Sequence, residues 1–158
     1  MKTTTRTTII ENNGLKVGEL KTTYKRLQPA ADAFKIMSSK DLNAYFRPLF
    51  EDIQDTKERF IAVYLNRSNR VICHEIISEG GPTATVVEPQ QIIRGALMCN
   101  AQAIALCHNH PSGETKPSQP DLNLTSKMKQ AADLFNIVLL DHLILGDSYL
   151  SFADEGLM

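Results

Sequence analysis

The stretch from Cys107 to Asp121, CHNHPSGETKPSQPD, constrains the fold of this chain more than any other. His108 and His110 close an apolar run, AIALC, that reads as a buried strand. Side chains alternate along a strand, so both imidazoles point to one side and Asn109 to the other. Ten residues separate His110 from Asp121, and Pro111, Gly113, Pro117 and Pro120 among them force sharp turns. Ser118 reads as a helix N-cap. That puts Asp121 in the first helical turn, where the helix dipole favours a negative charge. The pattern therefore demands a strand, a tight loop and a helix whose start folds back over the strand end. Two histidines and one carboxylate form a catalytic zinc set, with the fourth position left for water. Taken singly, a histidine near a strand end is usually structural, and Ser118 is explained by capping alone. The three residues on this spacing point to one zinc ion per chain, held by His108, His110 and Asp121.

The rest of the chain supplies the elements around that motif. Residues 1–14 are rich in Thr and Asn and read as a loosely held arm. Residues 15–55 lead into the domain: an exposed strand from Leu15 to Leu27, a helical stretch AADAFKIM opened by Pro29, and a helix DLNAYFRPLF capped by Ser39 and ended or bent by Pro48. Residues 56–158 carry the metal motif. There, ERFIAVYL (Glu58 to Leu65) and Val71 to Ser78 read as a hairpin across the turn Asn66–Arg70, and TATVV as a third strand. A helix starts at Pro89 and runs to about Cys99. Strand Ala101–Cys107, helix Asp121–Phe135, strand Ile137–Leu145, turn Gly146–Asp147 and strand Ser148–Phe152 complete the order. This describes a single α/β domain with a mixed sheet and helices packed on it.

Charge and cysteine content narrow the function classes. Seventeen basic residues against eighteen acidic ones give a formal charge of −1, so no basic excess exists to neutralise a run of phosphates. Nucleic acid is left only a local basic patch. Cys73, Cys99 and Cys107 form no CxxC pair and are odd in number, which fits a reducing cytoplasm. The start, MKTTTRTTII, lacks the apolar core of a signal peptide. The best apolar stretch, Ile137 to Leu145, is broken by Asp141 and His142 and is too short to span a bilayer.

The motif resembles the JAMM motif of JAB/MPN metalloproteases: H-x-H-P, then Ser, then two residues, then Asp. His108, His110, Pro111, Ser118 and Asp121 match it position by position. The strings HNHPSG, LLDHLIL and YLSF are similar to the RadC-like branch, and the resemblance runs from about Thr56 to Glu155. It implies a cytidine-deaminase-like α/β/α fold, zinc on His108, His110 and Asp121, and Ser118 helping to hold the oxyanion. It also implies an upstream Glu as general base at the start of the first hairpin strand. Glu58 stands in that place and is preferred to Glu75. Its bland alternative is a surface carboxylate at a strand edge. The reaction implied is hydrolysis of a peptide or isopeptide bond in a protein substrate by metal-activated water, and the name of the branch suggests DNA repair. Longer RadC-like proteins carry an N-terminal helix-hairpin-helix region, and residues 1–55 show no such pair with a Gly-rich hairpin. Glu79-Gly80-Gly81-Pro82 replaces the simpler Gly-Thr turn expected after the second strand.

Three rival functions compete with this reading. A deaminase on the same general fold needs H-x-E and P-C-x-x-C, and neither is present. A non-catalytic scaffold of the kind degenerate MPN domains form is opposed by the intact ligand set. A DNA-repair accessory role is opposed by the near-neutral charge. The string HNH is not a nuclease signature, because HNH nucleases draw those letters from dispersed positions. In strand Ile137–Leu145, Asp141 and His142 face opposite sides, and one of them can orient a metal ligand from behind or be a structural hydrogen-bonding group. Cys107 faces away from the metal and reads as core. Asn109 is expected to bond loop backbone, and His74 carries no further signal.

Overall fold

The computed structural model describes residues 24–25, 29–80 and 87–158. The arm over 1–14, most of the strand expected over 15–27, and all of TATVV but Val87 lie outside them.

The apolar run FIAVYL gives β1 (Arg59–Leu65), buried at all seven positions as a central strand requires. It turns at Asn66, whose side chain accepts from the backbone N–H of Ser68 and Arg70, into β2 (Val71–Glu79). β3 (Ala103–Asn109) is also buried throughout, and β4 (Val138–Leu145) and β5 (Tyr149–Ser151) follow. The sheet order is β2-β1-β3-β4-β5. β1 is antiparallel to β2 and to β3, β3 is parallel to β4, and β4 is antiparallel to β5. The parallel pair β3–β4 is joined by a crossover through α3 (Gln119–Asp133).

Alternate residues of β1 feed two cores. Phe60, Ala62 and Tyr64 face α2 (Pro89–Met98) and α3, packing with Ile92, Ile93, Ala96, Met128 and Ala132. Ile61, Val63 and Leu65 face the other way, onto Leu42 and Phe46 of α1 (Ser39–Phe46) together with Ile36 and Phe50. The result is a mixed sheet with helices on both faces, the α/β architecture expected. α2 lies close to the sheet because Gly95 has no side chain. A Cβ there would run into the Tyr64 hydroxyl and would lie 2.7 Å from Glu75 Oε2.

Three local expectations are corrected. AADAFKIM does not form a helix. Only Ala30–Asp32 makes a 3-10 turn, and the chain then extends: Val71 N–H donates to the Phe34 carbonyl and Ile36 N–H to that of Asn69. Pairing with the hairpin overrides helix propensity there. The α1 cap is Ser38, not Ser39: the Ser38 hydroxyl accepts from the Asp41 N–H. β3 runs to Asn109 rather than stopping at Cys107, because β1 and β4 pair with its last residues. Pro48 does end α1, falling in a 3-10 turn at Arg47–Leu49. No helix among the described residues is long and apolar enough to cross a membrane.

Candidate metal centre

β3 delivers the two histidines. His108 pairs with Phe60 of β1 and Ile144 of β4, so it lies on the α2–α3 side of the sheet. Its ring is buried and stacks on Phe60, with centroids 5.7 Å apart and planes 9° apart. His110 is the first residue past the strand. Its N–H donates to the Leu145 carbonyl at 2.8 Å, which holds it to the end of β4.

The loop then brings Asp121 back over both, as its turn residues require. Ser118 caps α3 and forms a full capping box with Asp121. The Ser118 N–H and hydroxyl donate to Asp121 Oδ2 at 2.7 and 2.5 Å, and the Asp121 N–H donates to Ser118 Oγ at 3.3 Å. The carboxylate is thereby aimed at the histidines. His108 Nε2 lies 3.0 Å from His110 Nε2 and 3.3 Å from Asp121 Oδ1, and His110 Nε2 lies 3.8 Å from Asp121 Oδ2. All three ligand atoms lie within 4.8 Å of one another, and no other cluster of this kind occurs among the described residues.

This arrangement fits a zinc ion. Tetrahedral bonds of about 2.0–2.2 Å give donor–donor edges of roughly 3.3–3.6 Å, near the separations found. His110 Nδ1 lies 3.0 Å from the Glu114 carbonyl, which can only accept. In the neutral ring the proton therefore sits on Nδ1, and Nε2 presents a lone pair to the cluster. Burial alone would raise the Asp121 carboxyl, but His108 beside it and the two bonds donated by Ser118 favour the ionised form and hold it well below its usual range. An ionised carboxylate and nitrogen lone pairs converge on one point, the chemistry that a divalent cation satisfies.

Behind the ligands, His142 of β4 is fully buried. Its Nε2 lies 2.9 Å from His108 Nδ1 and its Nδ1 lies 2.7 Å from Thr125 Oγ1. Burial, reinforced by the neighbouring His108, pushes its imidazole well below the ordinary value. Asp141 faces the other way and accepts from Ser151 Oγ and the N–H of Ala153 and His142. Of Asp141 and His142, His142 is therefore the one behind the candidate ligand His108. Thr125 and Phe60 were not singled out from sequence. Thr125 carried one available signal, its position four residues after Asp121 on the same helix face.

Glu58, one residue before β1, lines a cleft of about 450 Å³ together with His108, Asp121 and Ser78. Ser78 Oγ, in register with Phe60, is buried without a hydrogen-bond partner among the described residues. Glu75 does not line the cleft and accepts from the Tyr64 hydroxyl at 2.9 Å beside α2. Asn109 bonds backbone as expected, but in the segment before β1 rather than in its own loop. Its Oδ1 accepts from the Arg59 N–H, and its Nδ2 donates to the Gln54 and Lys57 carbonyls. Cys107 is fully buried in the opposite core, and burial pushes its thiol well up. A larger cavity of about 560 Å³ beside Cys73, His74 and Tyr45 contains none of the metal ligands; His74 there is bonded to the Tyr45 hydroxyl.

A family model described as RadC-like JAB domain matches residues 36–157. Among curated proteins, the chain is similar to a UPF0758 protein of Chlorobaculum parvum, 38% identical over 125 residues, covering 78% of this chain and 55% of that protein. It is also similar to a UPF0758 protein of Flavobacterium johnsoniae, 40% identical over 136 residues, covering 84% of this chain and 58% of that one. UPF0758 protein YfjY of Escherichia coli is 44% identical over 103 residues, covering 65% of this chain and 64% of that protein. The chain thus spans a little over half the length of the first two relatives.

Proposed function

The chain belongs to the RadC-like JAB domain family, and from that membership and its two-histidine, one-aspartate centre we propose that it is a one-zinc hydrolase of peptide or isopeptide bonds. The observation that carries the reading is the convergence of His108, His110 and Asp121, two of which, His108 and Asp121, line a cleft that Glu58 also lines. When bound there, zinc lowers the pKa of a coordinated water to about 7 and polarises the scissile carbonyl.

The remaining steps belong to the chain's own groups. Glu58 takes the proton of the attacking water and returns it to the departing amine nitrogen. Ser118, whose hydroxyl bonds Asp121 Oδ2 in this structure, would turn that hydroxyl to donate to the developing oxyanion. Phe60, stacked on His108, gives the cleft an apolar floor that limits water. The substrate is an extended peptide segment, laid along the edge of the sheet near β2 so that backbone pairing supplies affinity. The reading places the protein in a reducing compartment such as the cytoplasm, in keeping with three free cysteines. Nucleic acid is not part of the reading, given the formal charge of −1.

The test joins metal content to turnover. The purified chain should hold about one zinc, as a single three-ligand set with an open fourth position implies, and His108→Ala with His110→Ala should abolish it. Glu58→Gln should keep the zinc and lose hydrolysis of peptide and isopeptide substrates. Full turnover by Glu58→Gln would remove Glu58 from the mechanism. A wild-type chain that takes up no zinc would end the hydrolase reading.

A further inference from the structure

Three hydrogen bonds run from His108 away from the metal centre, and their polarity is fixed at the far end. Thr125 Oγ1 lies 2.7 Å from the Asp121 backbone carbonyl, one helical turn earlier. A carbonyl oxygen has no proton to give, so the single hydroxyl proton of Thr125 points to it. Toward His142 Nδ1, 2.7 Å away, Thr125 Oγ1 can then only accept, so His142 Nδ1 carries a proton. His142 is fully buried between the rings of Phe60 and Phe152, with centroids at 5.4 and 4.8 Å, and no carboxylate among the described residues bonds its ring. A second proton there would bury an unpaired charge, which is far more costly than a neutral ring. His142 Nε2 is therefore bare, and it accepts from His108 Nδ1–H at 2.9 Å. That leaves His108 Nε2 as a lone pair, aimed at His110 and Asp121.

We propose that Thr125 and His142 are positioning residues, forming a one-way hydrogen-bond chain that starts at the Asp121 carbonyl and locks His108 in the tautomer whose Nε2 faces the metal. The inference rests on the metal-centre reading and deepens it. The chain closes on itself: Asp121 offers its carboxylate to the ion and its carbonyl to the bonds behind His108. One residue at the start of α3 thus sets both a ligand and the tautomer of a second ligand on β3. If α3 shifts against the sheet, both contributions fail together. His110 reaches the same tautomer independently, through the Glu114 carbonyl. Neither histidine then has to exchange a proton between its nitrogens before an ion can bind. Tautomer choice by the partner of the other ring nitrogen is the general rule for metal-binding imidazoles.

The test uses the full chain and two readouts besides activity. Nitrogen-15 correlation spectra of the metal-free protein report which ring nitrogen of each histidine carries the proton. Competition against a chromogenic chelator reports zinc affinity. The wild type should show His108 protonated at Nδ1. Thr125→Val keeps the shape but removes the hydroxyl. It should populate the other His108 tautomer, leave His110 unchanged as an internal control, and weaken zinc binding about 10–100-fold. Thr125→Ser restores the hydroxyl and should restore both readings. A wild-type His108 protonated at Nε2 overturns the proposal without recourse to any variant. So does a folded Thr125→Val with the wild-type tautomer and affinity. The tautomer is read without metal, so failure of zinc binding in the wild type would be seen separately, as failure of the metal-centre reading.

Discussion

Asn109 stands between the two histidines in sequence and on the opposite side of β3 in space. Its amide is fully buried and meets one donor and two acceptors: the Arg59 N–H at 2.8 Å, the Gln54 carbonyl at 2.9 Å and the Lys57 carbonyl at 2.8 Å. Only a group with both an acceptor oxygen and two N–H donors satisfies that set. The residues so held flank Glu58, so the residue between the ligands also places the proposed base. Arg59 reinforces the clamp with a paired contact to Asp52, both bonds 2.9 Å, and a further one to Glu79. Asn109→Asp would turn the two donors into acceptors facing carbonyls. It should destabilise the chain by roughly 3–5 kcal/mol, the scale of several unmet buried polar groups. Urea unfolding at neutral pH measures this. Where the variant stays folded, zinc should still bind while hydrolysis is lost, because the ligands do not depend on the amide but Glu58 does. A loss near zero would show that water replaces the amide and that the clamp is not what holds the segment.

At the scale of elements, what was legible in the sequence was whatever local chemistry decides. Strand alternation placed His108 and His110 on one side, and Ser118 three residues before Asp121 spelled a capping box that the fold contains. What was not legible depends on partners distant in sequence. AADAFKIM has helix-forming composition, yet its backbone is used by the β1–β2 hairpin. The role of His142 depends on β3 and β4 lying parallel with Leu106 opposite His142, which no local pattern states. Thr125 reads as an ordinary helix residue until that register is known. The loop between β3 and α3 is likewise shaped from outside. It packs on the β4–β5 turn, where the Asp147 N–H donates to the Gly113 carbonyl at 2.9 Å and Arg47 reaches the Gly146 carbonyl at the same distance. A side chain on Gly146 would collide with the Gly113 carbonyl, which is backbone and cannot rotate aside. Gly146→Ala should therefore lower stability by about 1–3 kcal/mol, as overpacking does. It should also weaken zinc binding, because Gly113 cannot move without Glu114, whose carbonyl orients His110. Thermal unfolding with and without zinc separates the two effects. Lower stability with unchanged zinc affinity would mean that the loop holds its shape independently of the turn.

At the scale of the whole molecule, the metal centre sits on one face of the sheet and depends on the cover of the other. The central strands β1 and β3 are buried on both sides, and a parallel pair such as β3–β4 is stable only when both faces are covered. Ile61, Val63, Ala105, Cys107, Leu143 and Leu145 look away from the candidate metal ligands, onto Ile36, Leu42, Phe46 and Phe50. Those four covering side chains precede residue 56, where the metal motif's own segment was expected to begin, and the family match starts at residue 36. Removing them takes away four buried apolar groups worth roughly 1.5–3 kcal/mol each. Their sum is comparable to the entire net stability of a domain, about 5–15 kcal/mol. A chain cut to residues 56–158 therefore keeps every proposed ligand and Glu58 but should lose cooperative unfolding and, with it, tight zinc binding. A chain begun at residue 33 keeps the covering groups and should retain both. Differential scanning calorimetry with zinc titration on the two truncations decides the matter. A cooperative transition and about one bound zinc in the shorter chain, the stoichiometry of a single three-ligand site, would show that α1 is dispensable and that the α2–α3 face carries the fold alone.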